Sequence, residues 1–362
     1  MRVLVVAAPL LGHVFPLVPL AQALRRAGHD VLLATGGEAL KVRESGLAVE
    51  DVVPAVHMGR LALRTSLAHP LAARSELRGE GDLRFVSHLF AAIGKHMLPG
   101  VFALAERWLP DVVVHDALAG AGTVVAAHHG IPAVVHDISL FDGATLTAAV
   151  LTRMRPRTAF PEPATVLRTA PPSVVEFSGG WPMRFVPYAG DGTTPDWLRE
   201  RPERPRILVS RSTVAGPGGG RMMEAVLKVA PQVDAEFVVI RPSGSLPGNV
   251  RGVDWVSLPR VLPRCAAVVH HGGAGTLLAA LTAGVPQLVE PGVGDRTRHA
   301  RLVTARGAGL TARASEVTSE LLGRLVTDNG LARAAKEVSA EISAMPSPAK
   351  VAARFSQLAH RH

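Results

Sequence analysis

A chain of 362 residues exceeds one average domain, so two domains are expected. With 48% hydrophobic and 19% charged residues it has a core to bury and too little charge for disorder. The net charge of +9 does not point to nucleic acid, because the basic residues are nearly all scattered Arg and Tyr188 is the only tyrosine; the charge suits an anionic small substrate instead.

Met1 to Leu11 has an Arg and an apolar run like a signal peptide but no small-residue cleavage site, and Val3 to Ala8 reads as a buried first strand. A Gly-containing loop and a helix from about Phe15 to Ala27 follow, stopped by Gly28-His29-Asp30 before a second strand, Val31 to Thr35. Met58 to Gly100 has helical periodicity, with Met58, Phe85, Phe90 and Met97 at apolar positions. Asp111 to His115 is another buried strand, then a helix from Gly120 to His129 and a strand from Ala133 to His136. This alternation predicts a parallel sheet with right-handed crossovers. No apolar run reaches ~18 residues free of charge, His or Pro, so no membrane span is expected.

Prolines crowd the region from Pro161 to Pro205, which reads as loop and linker, with the domain boundary at 190–205. A second α/β series starts with strand Arg206 to Ser210. Helix Arg221 to Ala230, strand Glu236 to Arg241 and strand Val250 to Val256 come next, then an apolar run, Cys265 to Val269. The tail from Ser315 is helical, with breaks at Asn329-Gly330 and Pro346-Ser347-Pro348. Cys265 is the only cysteine, so no disulfide forms within the chain, which fits a reducing cytoplasm.

The most specific string is His270-His271-Gly272-Gly273-Ala274-Gly275-Thr276, followed by a helix to Ala283, Gly284-Val285-Pro286 and then Asp295. A strand running through glycines into a helix aims bare amides and the positive dipole end at one spot, an anion site made of backbone. His271 adds a donor and Thr276 a hydroxyl. At the first strand–helix junction, Ala8-Pro9-Leu10-Leu11-Gly12-His13 lacks the G-x-G-x-x-G pattern, which counts against a nicotinamide cofactor. His13 is at the edge where ligands bind in such folds, and Asp116 ends a later strand. A carboxylate on the imidazole Nδ1–H would leave Nε2 as a base. Asp116 also reads as a cap of the next helix, and His115 and Asp137 compete for these roles. No His, Cys, Asp or Glu cluster has metal-ligand spacing.

Together these motifs resemble the nucleotide-sugar-dependent glycosyltransferases of the GT-B fold (the UDP-glycosyltransferase superfamily), in the actinobacterial branch acting on aromatic polyketide, macrolide or enediyne aglycones. The resemblance covers nearly the whole chain. It implies two Rossmann-like doubly wound α/β domains facing across a cleft. Residues 1–195 would bind acceptor, residues 205–345 would bind the nucleotide sugar, and 346–362 would pack back onto the first domain.

It also implies His13 and Asp116 as a catalytic dyad. Trp255 would stack on the nucleobase, or else serve as a core aromatic, with Val256 and Leu258 near the base's polar edge. Ser212 and Thr213 would stand where relatives touch the β-phosphate or sugar. His271, Gly272, Gly273, Gly275 and Thr276 would cradle the diphosphate, and Asp295 and Arg296 would read the sugar.

Two departures are informative. Ala279 stands where many relatives place a Glu on the ribose, which favours dTDP over UDP. Arg296 replaces a Gln and offers only donors, which favours a deoxy- or modified sugar over glucose. The expected reaction is inverting transfer to a hydroxyl of a hydrophobic natural product, its acceptor walls drawn from 55–100 and 137–190, including Trp181. No cofactor or metal is expected, since the dTDP-sugar is a co-substrate; a homodimer is left open. A sugar-nucleotide epimerase of the same fold and a non-catalytic nucleotide-binding auxiliary protein are the rival readings.

Overall fold

The computed structural model describes residues 1–54, 56–79, 83–155, 160–190, 194–211, 220–242 and 244–358. Its first sheet holds β1 (Arg2–Val6), β2 (Asp30–Thr35), β3 (Ala48–Asp51), β4 (Val112–Asp116), β5 (Ala133–His136), β6 (Thr165–Arg168) and β7 (Trp181–Pro182), in the order β3-β2-β1-β4-β5-β6-β7. The second holds β8 (Arg206–Ser210), β9 (Glu236–Ile240), β10 (Val250–Val253), β11 (Ala267–His270), β12 (Gln287–Val289) and β13 (Gly309–Thr311), in the order β10-β9-β8-β11-β12-β13. All the paired strands are parallel.

Both sheets reverse direction beside their first strand, between β1 and β4 and between β8 and β11. Such a switch point opens a crevice at the carboxyl ends of the strands, where ligands bind in doubly wound folds. The architecture is α/β, two doubly wound halves across a cleft, as the resemblance implies.

Strand alternation builds the cores. Leu4 and Val6 face one layer with Phe90, Met97 and Val125, while Val3 and Val5 face the other with Leu20 and Leu24. Successive side chains of a strand point to opposite faces, so a continuous Val-rich run can serve both. The helix Arg84–Trp108 is long and apolar enough to cross a membrane; here it buries Phe90, Ile93, Met97, Val101 and Leu104. A third apolar layer joins the halves: Leu140, Ala170, Val174 and Phe185 pack with Leu277, Leu278, Leu281 and Val303.

Several elements differ from the sequence reading. The first helix starts at Leu11 rather than Phe15, and it tightens to 3-10 geometry at Phe15–Leu17, where Pro16 has no N–H for an α bond. β6 and β7 form inside the proline-rich stretch that reads as loop. Pro182 is tolerated because β7 is an edge strand, whose outer N–H positions need no ladder partner. The tail breaks at Asp328 rather than Asn329-Gly330. Its carboxylate accepts from Gly330 N (2.8 Å) and Leu331 N (3.3 Å), so Asn329 and Gly330 open the helix Asn329–Ala344. At the end of the described chain, Val351, Ala352, Phe355 and Leu358 are buried in the layer of Val14, Leu17 and Leu24.

Candidate active site

The parallel register pairs Val6 with His115, so the chain leaves β1 beside the end of β4. The loop after Val6 leads into the one-turn helix Leu11–Val14, which carries His13, and β4 ends on Asp116. His13 Nδ1 lies 3.1 Å from Asp116 Oδ1. Asp116 also accepts from Ala8 N (2.7 Å, Oδ2) and Leu118 N (2.8 Å, Oδ1). Burial by itself would raise this carboxyl's pKa; the adjacent imidazole and the two amides outweigh it and hold it below the usual value. The Phe90 ring lies over His13 at 4.8 Å between centroids, tilted 31°.

The two competitors differ from this pair. His115 is fully buried with both nitrogens engaged, Nδ1 by the Asp116 carbonyl (2.8 Å) and Nε2 by the Thr123 hydroxyl (2.9 Å). Asp137 is buried against Arg168 (3.3 Å) and accepts from Gly143 N (2.9 Å). Burial pushes it up to about 7 in spite of the guanidinium.

Across the cleft, β11 runs into Gly272, whose φ of +81° suits a residue without Cβ, and the helix Ala274–Ala283 begins after Gly273. The loop is held from behind by His270. Its Nδ1 accepts from Gly272 N (3.1 Å), which places the proton on Nε2, where it donates to Gln287 Oε1 (2.8 Å). Burial lowers His270 to about 4, so it is neutral as this pattern requires. The sequence reading gave His270 no role; the signal available was Gln287, a polar residue opening an otherwise apolar run.

His271 turns the other way, its ring at 88° to that of His270. Burial, then the charge of Arg296, push its pKa down to about 3. A Cβ on Gly273 would stand 2.5 Å from His271 Nε2, whereas one on Gly275 would meet nothing within 4 Å.

Between the halves lies a cavity of about 460 Å³. The described walls include His13 and, opposite, His271, Gly273, Gly275, Thr276 and Ala279. Trp255, Val256, Leu258, Asp295 and Arg296 also line it, while Gly272 lies behind the lining and supplies the turn. Trp255 is 40% exposed and its Nε1 donates to Ala189 O at 3.4 Å. Ser212 and Thr213 lie outside the described residues.

On the first half the wall is apolar, with Leu11, Leu83, Phe90, Phe141, Leu146 and Phe185. Trp181 is not part of it; its ring packs under Arg354, 4.0 Å from the guanidinium, and against Phe355. Met97 is fully buried in the core. Arg211 and Arg241, which the sequence reading passed over, also line the cavity, and Arg241 has a positive φ of 53°. Among the described residues no group of three His, Cys, Asp or Glu is placed to hold a metal.

The family model described as the N-terminal domain of erythromycin biosynthesis protein CIII-like proteins matches residues 22–212, and its C-terminal counterpart matches residues 224–358. The chain belongs to this family of GT-B glycosyltransferases.

The transferase is 41% identical to the elloramycin glycosyltransferase ElmGT of Streptomyces olivaceus, over 98% of this chain and 97% of that protein. It superimposes on the glycosyltransferase SnogD from Streptomyces nogalater with a TM-score of 0.86 at 37% identity, covering 99% of each chain. SsfS6 from Streptomyces sp. SF2575, solved with thymidine diphosphate, gives 0.83 at 30% identity, again over 99% of both. The epimerase and auxiliary-protein readings are not favoured by these matches.

Proposed function

We propose that the transferase moves a deoxysugar from a dTDP-sugar to a hydroxyl of a hydrophobic natural-product aglycone, with inversion at the anomeric carbon. The observation that carries this reading is one cavity with the His13–Asp116 pair on one wall and the glycine loop on the other. Asp116 holds Nδ1, and Nε2 takes the proton of the acceptor hydroxyl. The acceptor oxygen bonds to the anomeric carbon as the bond to the diphosphate breaks, and a single in-line displacement inverts that carbon. Base assistance of this kind contributes ~10²–10⁴-fold.

The leaving diphosphate gathers negative charge near the helix N-terminus at Gly273, His271 and Thr276, with Arg211, Arg241 and Arg296 on the same cavity wall. Trp255 supplies a half-exposed face for the base. Ala279 offers no acceptor to a 2′-hydroxyl, which supports a deoxyribose. Asp295 and Arg296 contact the sugar, and the Leu- and Phe-rich wall takes the aglycone. We assign 1–195 to acceptor binding, 205–345 to donor binding and 190–205 to the linker, with 346–362 returning to the first half, in a cytoplasmic enzyme.

Incubation with a dTDP-deoxysugar and a panel of aromatic polyketide and macrolide aglycones, followed by mass spectrometry, tests the reading. Acceptor-dependent release of dTDP is expected. Nucleotide release without a glycosylated product would overturn it.

A further inference from the structure

Leu140 belongs to the connection between β5 and the helix Gly143–Met154, and its neighbours Ile138, Ser139 and Phe141 line the cavity on the acceptor side. Its peptide groups are satisfied from the other half of the molecule. The Leu140 carbonyl accepts from Arg298 Nε (3.2 Å), and the Leu140 N–H donates to His299 Nε2 (3.3 Å). His299 is fully buried on the helix Arg296–Arg306. Its other nitrogen, Nδ1, lies 2.8 Å from the carbonyl of Gly272, the turn residue of the donor loop. A carbonyl only accepts and an amide N–H only donates, so both contacts require the proton on Nδ1 and the lone pair on Nε2. Asp295 Oδ2 stands 3.4 Å from the same Nε2 edge. One imidazole thus touches the donor loop, the carboxylate assigned to the sugar and the backbone of the acceptor wall.

We propose that His299 is a positioning residue that couples occupancy of the donor loop to the acceptor-side segment 138–141. The coupling rests on the donor-site reading above. A nucleotide that fixes the Gly272 turn fixes the ring, and the ring fixes the Leu140 amide. Donor binding thereby shapes the acceptor wall through one buried side chain. Because Leu140 also sits in the apolar layer between the halves, the segment has little freedom to re-pair its N–H elsewhere.

Two amide substitutions separate the two bonds. In His299→Asn the side-chain amide reaches the place of Nδ1, keeping Gly272 and abandoning Leu140. In His299→Gln it reaches the place of Nε2, with the opposite result. The readouts are thymidine diphosphate affinity by calorimetry and hydrogen exchange of the Leu140 amide with and without that nucleotide.

In the wild type the Leu140 amide exchanges slowly and slows further with nucleotide. The Asn variant keeps its affinity within about twofold, exchanges quickly at Leu140 and loses the nucleotide effect. The Gln variant keeps the Leu140 protection and binds nucleotide about fivefold more weakly, the effect of one lost hydrogen bond. Fast exchange at Leu140 in the wild type, or identical behaviour of the two variants, overturns the coupling. The wild-type exchange with and without nucleotide decides the coupling even if neither variant folds, and an amide that nucleotide does not slow overturns it. A wild type that binds no thymidine diphosphate would sink the donor reading instead, while the exchange data still decide the bridge.

Discussion

Asp116 and His13, 103 positions apart in the chain, meet at 3.1 Å, and the same carboxylate accepts two backbone amides. The carboxylate is fully buried. In the proposed mechanism the residue therefore orients a base, while its two amide contacts tie down the loops around it.

Replacing His13 by Ala should lower kcat by ~10²–10⁴-fold, with thymidine diphosphate affinity unchanged. Asp116→Asn should be milder in rate, because it disturbs orientation and tautomer rather than removing the base. It should also cost more stability than His13→Ala, which leaves both backbone amides on the carboxylate. An Asn NH₂ would face Ala8 N, Leu118 N or the ring, and one buried donor left unmatched costs about 1–3 kcal/mol. Single-turnover rates and thermal melting of both variants decide this; an Asp116→Asn protein as slow as His13→Ala would contradict the division of labour.

Two buried aspartates give the protein opposing pH dependences. Asp116 is held below its usual value, so its stabilisation is present above the unfolded value of about 4 and fades as pH falls below it. Asp137 is raised to about 7, so its favourable protonated state is fully present below the unfolded value and lost as pH rises through 7. The melting temperature of Asp137→Asn should therefore gain on the wild type between pH 5 and pH 8. A constant difference across that range would mean that Arg168 keeps Asp137 ionised throughout.

Thymidine diphosphate should bind more tightly than uridine diphosphate, because Ala279 lines the cavity without offering an acceptor. Ala279→Glu should move the ratio toward uridine, since an acceptor facing a deoxyribose goes unpaired. Ala279 is also buried against the core, so Ala279→Met, of similar length and without a strong acceptor, serves as the control for bulk. Calorimetry with both nucleotides measures it, and equal affinities for the wild type would remove the argument.

Burial keeps His271 neutral, which leaves one ring N–H for a phosphate oxygen in the proposed donor complex. His271→Ala should weaken thymidine diphosphate binding by about 1.5–3 kcal/mol, as for a hydrogen bond to a charged group. Gly273→Val should do comparable or greater harm, because its Cβ would collide with His271 Nε2. The two effects share one imidazole, so the double variant should be little worse than Gly273→Val alone. Additive losses would show that Gly273 touches the diphosphate independently of His271.

Local pattern was enough to read much of the fold. Apolar runs ending at a Gly turn and a helix, at Val3 to Ala8 and at Cys265 to Val269, gave the switch-point strands of both sheets their places. The string from His270 to Thr276 and the pair Gly12-His13 both lead to the cavity at the carboxyl edges of the sheets. Short strands escaped, because β12 and β13 span too few residues to show a period, and β6 and β7 lie among prolines that mark a loop on average.

The rest belonged to the tertiary structure alone. Sequence could not separate His13 from His115, or Asp116 from Asp137. Each is a titratable residue at a strand end or in the segment that follows one, and only the strand register and the partners of each nitrogen and oxygen tell them apart. Nor could it show that Trp181 faces the chain's end, or that His299 reaches a backbone amide 159 positions away. Periodicity records which face of an element is buried. What a buried polar atom finds there depends on the docking of distant segments, which no local spacing encodes.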